Sequence, residues 1–116
     1  MELVKYRIMI VKRFDIWLVS LDPITGAEMA KTRPCVVVSP NSINRNLKTI
    51  LIAPLTHTQK TFPTRVACKF QNQTGEIALD QMRTVDKAQR LIQKIGILDA
   101  PTSEQVCQVL TSMFEY

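Results

Sequence analysis

One histidine, one tryptophan and three glycines are all that this chain of 116 residues holds of those types. Each scarcity removes a class of chemistry. A lone imidazole, His57, builds neither the HExxH helix of a zinc hydrolase nor a histidine-rich metal site. Gly26, Gly75 and Gly96 lie too far apart for a GxGxxG or Walker loop, and no GxSxG nucleophile turn occurs. The three cysteines, Cys35, Cys68 and Cys107, form no CxxC pair, and their apolar neighbours predict buried free thiols in a reducing compartment. Long apolar runs are missing too. Glu2, Lys5, Arg7 and Lys12 break up the opening MELVKYRIMIVKRFD, so neither a signal-peptide core nor a membrane span is predicted. The expected location is the cytoplasm.

Acidic residues are absent over one long interval. None occurs between Glu28 and Glu76, whereas that interval holds Lys31, Arg33, Arg45, Lys48, Lys60, Arg65 and Lys69. After Lys94 the sign reverses, with Asp99, Glu104 and Glu115. The net charge of +5 is therefore concentrated in the middle, which predicts a polyanion-facing surface and a separate acidic face. A basic protein with no anionic partner meets the same charge count. At 46% hydrophobic and 22% charged, the chain reads as one globular domain over 1–116, small enough to gain from a symmetric partner.

The residue pattern is mostly β. Asp15 to Val19 reads as a first strand, extended back through Ile8 to Val11, and Asp22-Pro23 and Thr25-Gly26 punctuate the loop after it. Val36, Val37 and Val38 are apolar on both faces, which predicts a central strand. A short turn or helix is expected from Ile43 to Leu47, then a third strand from Thr49 to Ala53 that stops at Pro54. Val66, Cys68 and Phe70 alternate with Arg65, Ala67 and Lys69 as in a half-buried strand. Gln71 to Gly75 reads as a turn, and Ile77 to Leu79 and Ile92 to Ile97 as further strands. Only the end changes period: Val106, Val109, Leu110 and Met113 share one helix face, with Asp99 as cap and Pro101 in the first turn. With no βαβ rhythm, the expectation is mainly β with α. It comprises a small curved barrel over about residues 12–98 and a C-terminal helix over about 101–114.

The stretch LDPITGAEMAKTRPCVVVSP, residues 21–40, sets a basic run just before the valine strand. In that run Arg33 offers a rigid fork of donors matched to a phosphate and charged at any relevant pH. Thr56 follows Pro54 at a strand end, where its hydroxyl is placed to donate to a developing oxyanion. Glu28, the last carboxylate before the basic interval, is a candidate base. These groups suffice for RNA cleavage, because RNA carries its own nucleophile in the 2′-hydroxyl. The enzyme need only remove that proton, stabilise the crowded phosphate and protonate the leaving 5′-oxygen. No metal is required.

The segments RFDIWLVSLDP, GAEMAKTRPCVVVSP, APLTHT and ALDQMRTVDKAQRL resemble the MazF/PemK/Kid family of toxin endoribonucleases over roughly residues 12 to 96. The most specific piece is residues 26–40, with glycine, glutamate and an Arg-Pro pair in family order; DQMRTVD follows at a fitting separation. The resemblance implies an SH3-like small barrel of the MazF/CcdB toxin type and a homodimer. It implies cleavage of single-stranded mRNA at a short motif without metal or cofactor, leaving a cyclic phosphate and a 5′-hydroxyl and halting translation. The family's catalytic arginine falls on Arg33, its threonine on Thr56, and the loop glutamate of some members on Glu28. Asp80, Gln81 and Arg83 fall in the segment lining the RNA groove, and Lys31, Thr32, His57 and Lys87 complete the expected RNA contacts. The implied partner is a MazE-like antitoxin whose acidic, apolar C-terminal tail fills the groove, the two forming a DNA-binding complex.

Two positions depart from the family pattern. Phe14 stands where the family reads glycine before the acidic residue of the first strand, which predicts altered loop geometry and substrate fit. Ala78 stands where some members carry an arginine, so no role for that arginine transfers. Competing roles are set against each site residue. Arg33 would serve as a structural ion pair with Glu28 or Asp80, Asp80 as a brace for Arg33 or Arg83, and His57 as an exposed loop residue. Trp17 fits core or interface packing, and Arg83 and Lys87 fit a solvated charged face. Two rival functions use the same barrel. One is a non-catalytic RNA-binding module; the other is a CcdB-like gyrase poison, which the ending Ser112-Met113-Phe114-Glu115-Tyr116 does not match.

Overall fold

The computed structural model describes residues 9–21 and 31–116. Its axis is β3 (Thr49–Thr56), which shares one edge with β2 (Thr32–Val37) and divides the other between two partners. Its first half pairs with β6 (Arg83–Asp86) and its last residues with β5 (Gln73–Ala78). β4 (Arg65–Phe70) continues beyond β5, while β1 (Asp15–Ser20) and β7 (Leu91–Ile97) continue beyond β2. All the pairings are antiparallel, and the sheet curls into half a barrel. The expected class, mainly β with a C-terminal helix, is the one found.

Alternation along the central strands makes two cores. Ile16, Val36, Ala53, Val66, Ile77 and Leu79 pack on one face, and Trp17, Val19, Cys35, Val37, Ile50 and Ile52 on the other. The valine run is thus buried on both faces, as its composition predicts. The C-terminal helix α3 (Ala100–Met113) closes the first core with Val106, Val109, Leu110 and Met113. The Asp99 carboxylate caps it by accepting from the Thr102 N–H at 2.8 Å. Each fully buried Ile or Val side chain contributes about 1.5–3 kcal/mol, so the two faces together hold the curl.

The structure corrects several boundaries. β3 does not stop at Pro54 but runs through it to Thr56. Pro54 falls between the stretch paired with β6 and the stretch paired with β5, where that edge of the strand has no ladder partner, so a missing N–H costs little there. The turn after β4 is only Gln71 and Asn72, both at positive φ (51° and 62°), which makes a tight two-residue hairpin. Gly75 therefore lies inside β5, and Leu79 begins a short 3-10 turn, Leu79–Gln81. Strand β6 and the one-turn helix α2 (Lys87–Arg90) are new, and helix α1 (Asn41–Asn46) begins ahead of its expected place. Among residues 9–12 the backward extension of β1 is absent. Lys12 to Asp15 form a turn instead, with the Lys12 N–H donating to the Asp15 carboxylate at 2.9 Å. Among the described residues no helix is long and apolar enough to cross a membrane.

Candidate active site

Strands β2 and β3 carry the two central side chains. Their ladder pairs Val37 with Ile52 and Cys35 with Pro54. Continued by two residues, the same register sets Arg33 opposite Thr56, and period-two alternation puts both on the Cys35 face. Arg33 is the second residue of β2 rather than the one before it, and it is exposed. Among the described residues no carboxylate pairs with it.

Asp80 braces neither Arg33 nor Arg83. Its carboxylate accepts from Arg65 Nε at 2.6 Å, Arg65 Nη2 at 3.2 Å and Thr64 Oγ1 at 3.0 Å. The Arg65 hydrogen bond is the chief reason that the Asp80 carboxyl titrates below its usual range. Arg65 meets this carboxylate from β4 because the β4–β5 register sets it opposite Ala78, two residues from Asp80.

Arg83 approaches the site from β6. It lies opposite Ile52, hence on the same face as Arg33 and Thr56, and its Nη1 donates to the Leu21 carbonyl at 2.9 Å. The N–H of the same Leu21 donates to Lys31 O at 3.1 Å. Burial pushes the Cys35 thiol up to about 12, although Arg33 and Arg83 both pull it down. Cys35 therefore stays a neutral thiol and no nucleophile at pH 7.

Thr56 ends β3. Its Oγ1 accepts from the Thr58 N–H at 3.1 Å, which leaves the hydroxyl's own proton for an outside acceptor. A Cβ at Gly75 would lie inside contact distance of the Thr56 carbonyl oxygen, so only glycine lets the end of β3 close onto β5. Gly75→Ala is expected to cost about 1–3 kcal/mol of stability through overpacking and to displace Thr56. Thermal melts paired with cleavage rates check this: a lower Tm and slower cleavage are expected together.

Glu76 and Arg65 carry a supporting role that reading the sequence missed. Glu76 lies opposite Thr56 in the β3–β5 ladder and is only 5% exposed. Its carboxylate accepts from the N–H groups of Lys60 at 2.8 Å and Thr61 at 3.1 Å, and Arg65 Nη1 lies 3.7 Å away. The connection after Thr56 is thus tied to the strand beside it. The available signal was Glu76 itself, the first carboxylate after the long basic interval and set beside an apolar strand residue.

The chain matches the model of PemK-like, MazF-like toxins of type II toxin-antitoxin systems over residues 12–114. It belongs to this family. It is 37% identical over 108 residues to the endoribonuclease EndoA of Bacillus subtilis (strain 168), covering 88% of this chain and 92% of that protein. It is 35% identical over 85 residues to the endoribonuclease PemK of Escherichia coli, covering 69% and 64% respectively. Among solved structures, it resembles a mycobacterial endoribonuclease in complex with its cognate antitoxin, with a TM-score of 0.73, 25% identity and coverage of 88% and 92%.

In this MazF/PemK-type chain the expected site residues fall into three groups. Lys31, Thr32, Arg33, Thr56, His57 and Arg83 lie at one end of the curled sheet, all exposed except the half-buried Thr56. Asp80 and Gln81 sit exposed on the 3-10 turn leading into Arg83, Asp80 engaged by Arg65. Lys87 is at the other end of β3: its N–H donates to Lys48 O, and its Nζ donates to Asn44 O at 2.6 Å. At about 3.3 Å per residue, the eight residues from Lys48 to Thr56 set it roughly 25 Å from Thr56. Glu28 lies outside the described residues. Among the described residues no three His, Cys, Asp or Glu side chains cluster as metal ligands would.

Proposed function

We propose that this toxin endoribonuclease cuts single-stranded mRNA through the RNA's own 2′-hydroxyl, without metal. The observation that carries the reading is Arg33 opposite Thr56 on one face, Arg33 unpaired among the described residues and Thr56 with a proton to give. Arg33 neutralises the scissile phosphate and hydrogen-bonds the leaving 5′-oxygen, and the Thr56 hydroxyl donates to a phosphoryl oxygen as charge builds. Glu28, or water, takes the 2′-hydroxyl proton. The new 2′-oxygen–phosphorus bond forms as the bond to the 5′-oxygen breaks, and that oxygen takes a proton from Arg33, which regains one from water, giving a cyclic phosphate and a 5′-hydroxyl. Lys31, Thr32, His57 and Arg83 hold the flanking strand, mostly through phosphates.

Two partners follow. The exposed Ile92 (53%) and Ile97 (67%) on outer strand β7 offer apolar area for a second copy. The basic end around Arg33 and Arg83 suits the acidic, apolar tail of a cognate antitoxin, which would block RNA by covering both guanidinium groups. Work on mRNA places the protein in the cytoplasm. The test is incubation with a long defined RNA in excess chelator, followed by mapping of 5′ ends. Discrete cuts with 5′-hydroxyl ends are expected. Shifted but intact RNA would mean a binder, and gyrase inhibition without RNA contact would mean a poison.

A further inference from the structure

A buried carboxylate beside Thr56 is left out of that chemistry. Glu76 lies directly opposite Thr56 in the β3–β5 ladder, and its neighbour Ile77 belongs to the first core, so Glu76 stands on the Thr56 face. Stability alone is a weak reason for a glutamate here, because well-packed apolar residues often replace a buried ion pair at no cost. Its two oxygens are spent on the backbone. Oε1 accepts from the Lys60 N–H at 2.8 Å and Oε2 from the Thr61 N–H at 3.1 Å. Successive N–H groups turned to one side form a concavity for an anion. Thr61 also holds a left-handed φ of 52°, which a β-branched residue rarely adopts. The chain from His57 to Thr61 is thus folded around this carboxylate. Within it the Thr58 N–H donates to Thr56 Oγ1 at 3.1 Å, which occupies one lone pair of the hydroxyl and limits where its proton can point.

We propose that Glu76 is a positioning residue for Thr56: by gripping the N–H groups of Lys60 and Thr61 it fixes the Thr58 N–H, and so aims the Thr56 hydroxyl at the phosphate. The proposal rests on Thr56 donating to a phosphoryl oxygen during cleavage. Two devices then hold that donor. Gly75 lets the Thr56 backbone close onto β5, and Glu76 holds the chain just beyond it. Without the carboxylate, two N–H groups lose their acceptor and Thr61 is free to leave its left-handed conformation. The Thr58 N–H moves with them, and the hydroxyl regains its rotation. Because the hydroxyl acts on charge that develops only in the transition state, the loss falls on kcat rather than on RNA binding.

The test is the kinetics of cleavage of a defined RNA by wild type, Glu76→Gln, Thr56→Val and the double variant. Glu76→Gln keeps the shape but offers one acceptor to two N–H groups. It is expected to lower kcat about tenfold and to leave KM within about twofold. In the Thr56→Val background the same change should cost less than about twofold, because no donor is left to aim. A role in folding alone would not depend on Thr56 in this way. Glu76→Asp keeps the charge beside Arg65 but falls one carbon short of the N–H groups, and it carries the same comparison where Glu76→Gln does not fold. Equal losses in the two backgrounds overturn the proposal, as does a change confined to KM or an unchanged kcat in folded Glu76→Gln. If neither variant folds, Glu76 serves folding and the proposal falls. Thr56→Val cutting at the wild-type rate overturns the donor role of Thr56 and this proposal with it, and a wild-type protein that cuts no RNA overturns the nuclease reading itself.

Discussion

Arg33→Ala is expected to lower kcat for RNA cleavage about 10³-fold while leaving the Tm within a few degrees of wild type. The first half follows from what the guanidinium faces. Charge collects on the phosphoryl oxygens as the 2′-oxygen adds, and one removed donor in such a site costs about 10²–10³ in rate. Removing a full positive charge together with the fork puts the loss at the upper end. The second half follows from exposure: Arg33 pairs with no carboxylate among the described residues, and exposed substitutions of that kind stay within about 0.5 kcal/mol. Arg33→Lys keeps the charge without the fork and should fall between the two. Thr56→Val keeps the shape and loses the donor, for a loss of about 10². Because both side chains act on one phosphate, the double variant should lose less than the product of the single losses. Single-turnover cleavage of a defined RNA reads all four. A purified, folded Arg33→Ala that cuts near the wild-type rate would end the assignment.

The juxtaposition behind that expectation was only half legible in the chain. Period-two alternation in Arg65 to Phe70, the two-faced valine run and the 3.6-residue spacing of Val106 to Met113 each report burial directly, and the structure has each where it was expected. Arg33 and Thr56 stood out singly, by charge and by place at a strand end, but only resemblance to a family paired them, since no local pattern says that residues 23 positions apart face each other. The partner switch of β3 across Pro54 was hidden for a related reason. A proline reads as a strand end unless one knows that its edge has no ladder partner there. Gly75 read as a turn because a glycine kept for close backbone approach and one kept for positive φ look alike in sequence. The Arg65 fork on Asp80 is invisible for the same reason as any long-range ion pair: a charged residue can choose among many partners, and only the β4–β5 register selects one. Lys87 lies apart from Arg83 despite their closeness in sequence, because a four-residue strand and the start of a helix turn separate them.

Phe14→Gly is expected to melt about 4 °C above Phe14→Ala, with both below wild type. The usual order is the reverse, because glycine loses more chain entropy on folding than alanine. Phe14, however, sits at φ 71°, a left-handed conformation that costs a residue with a Cβ about 1–2 kcal/mol. It is held there from both sides: its N–H donates to Val37 O at 2.7 Å, and its carbonyl accepts from Leu98 N at 2.9 Å. A position that the family pattern gives to glycine thus holds a left-handed backbone here while bearing a side chain. The ring offsets the strain by packing on the first core and lying 5.2 Å beneath the Arg13 guanidinium. Deleting the ring costs both variants about 2–3 kcal/mol, less than a fully buried phenylalanine would. Glycine alone then releases the strain, and a net difference of about 1 kcal/mol corresponds to several degrees at this chain length. Activity should separate from stability. Phe14 bonds to Val37 at the end of the β1–β2 pair remote from Arg33, whose partner is Val19, and the loop follows the far end of β1. The loop itself lies outside the described residues, and on this separation Phe14→Gly should keep wild-type kcat at 25 °C. Paired melts and initial rates decide it: a higher Tm for the alanine variant would show that strain at position 14 is not what the ring offsets, and a large fall in kcat for folded Phe14→Gly would tie this corner of the barrel to the site after all.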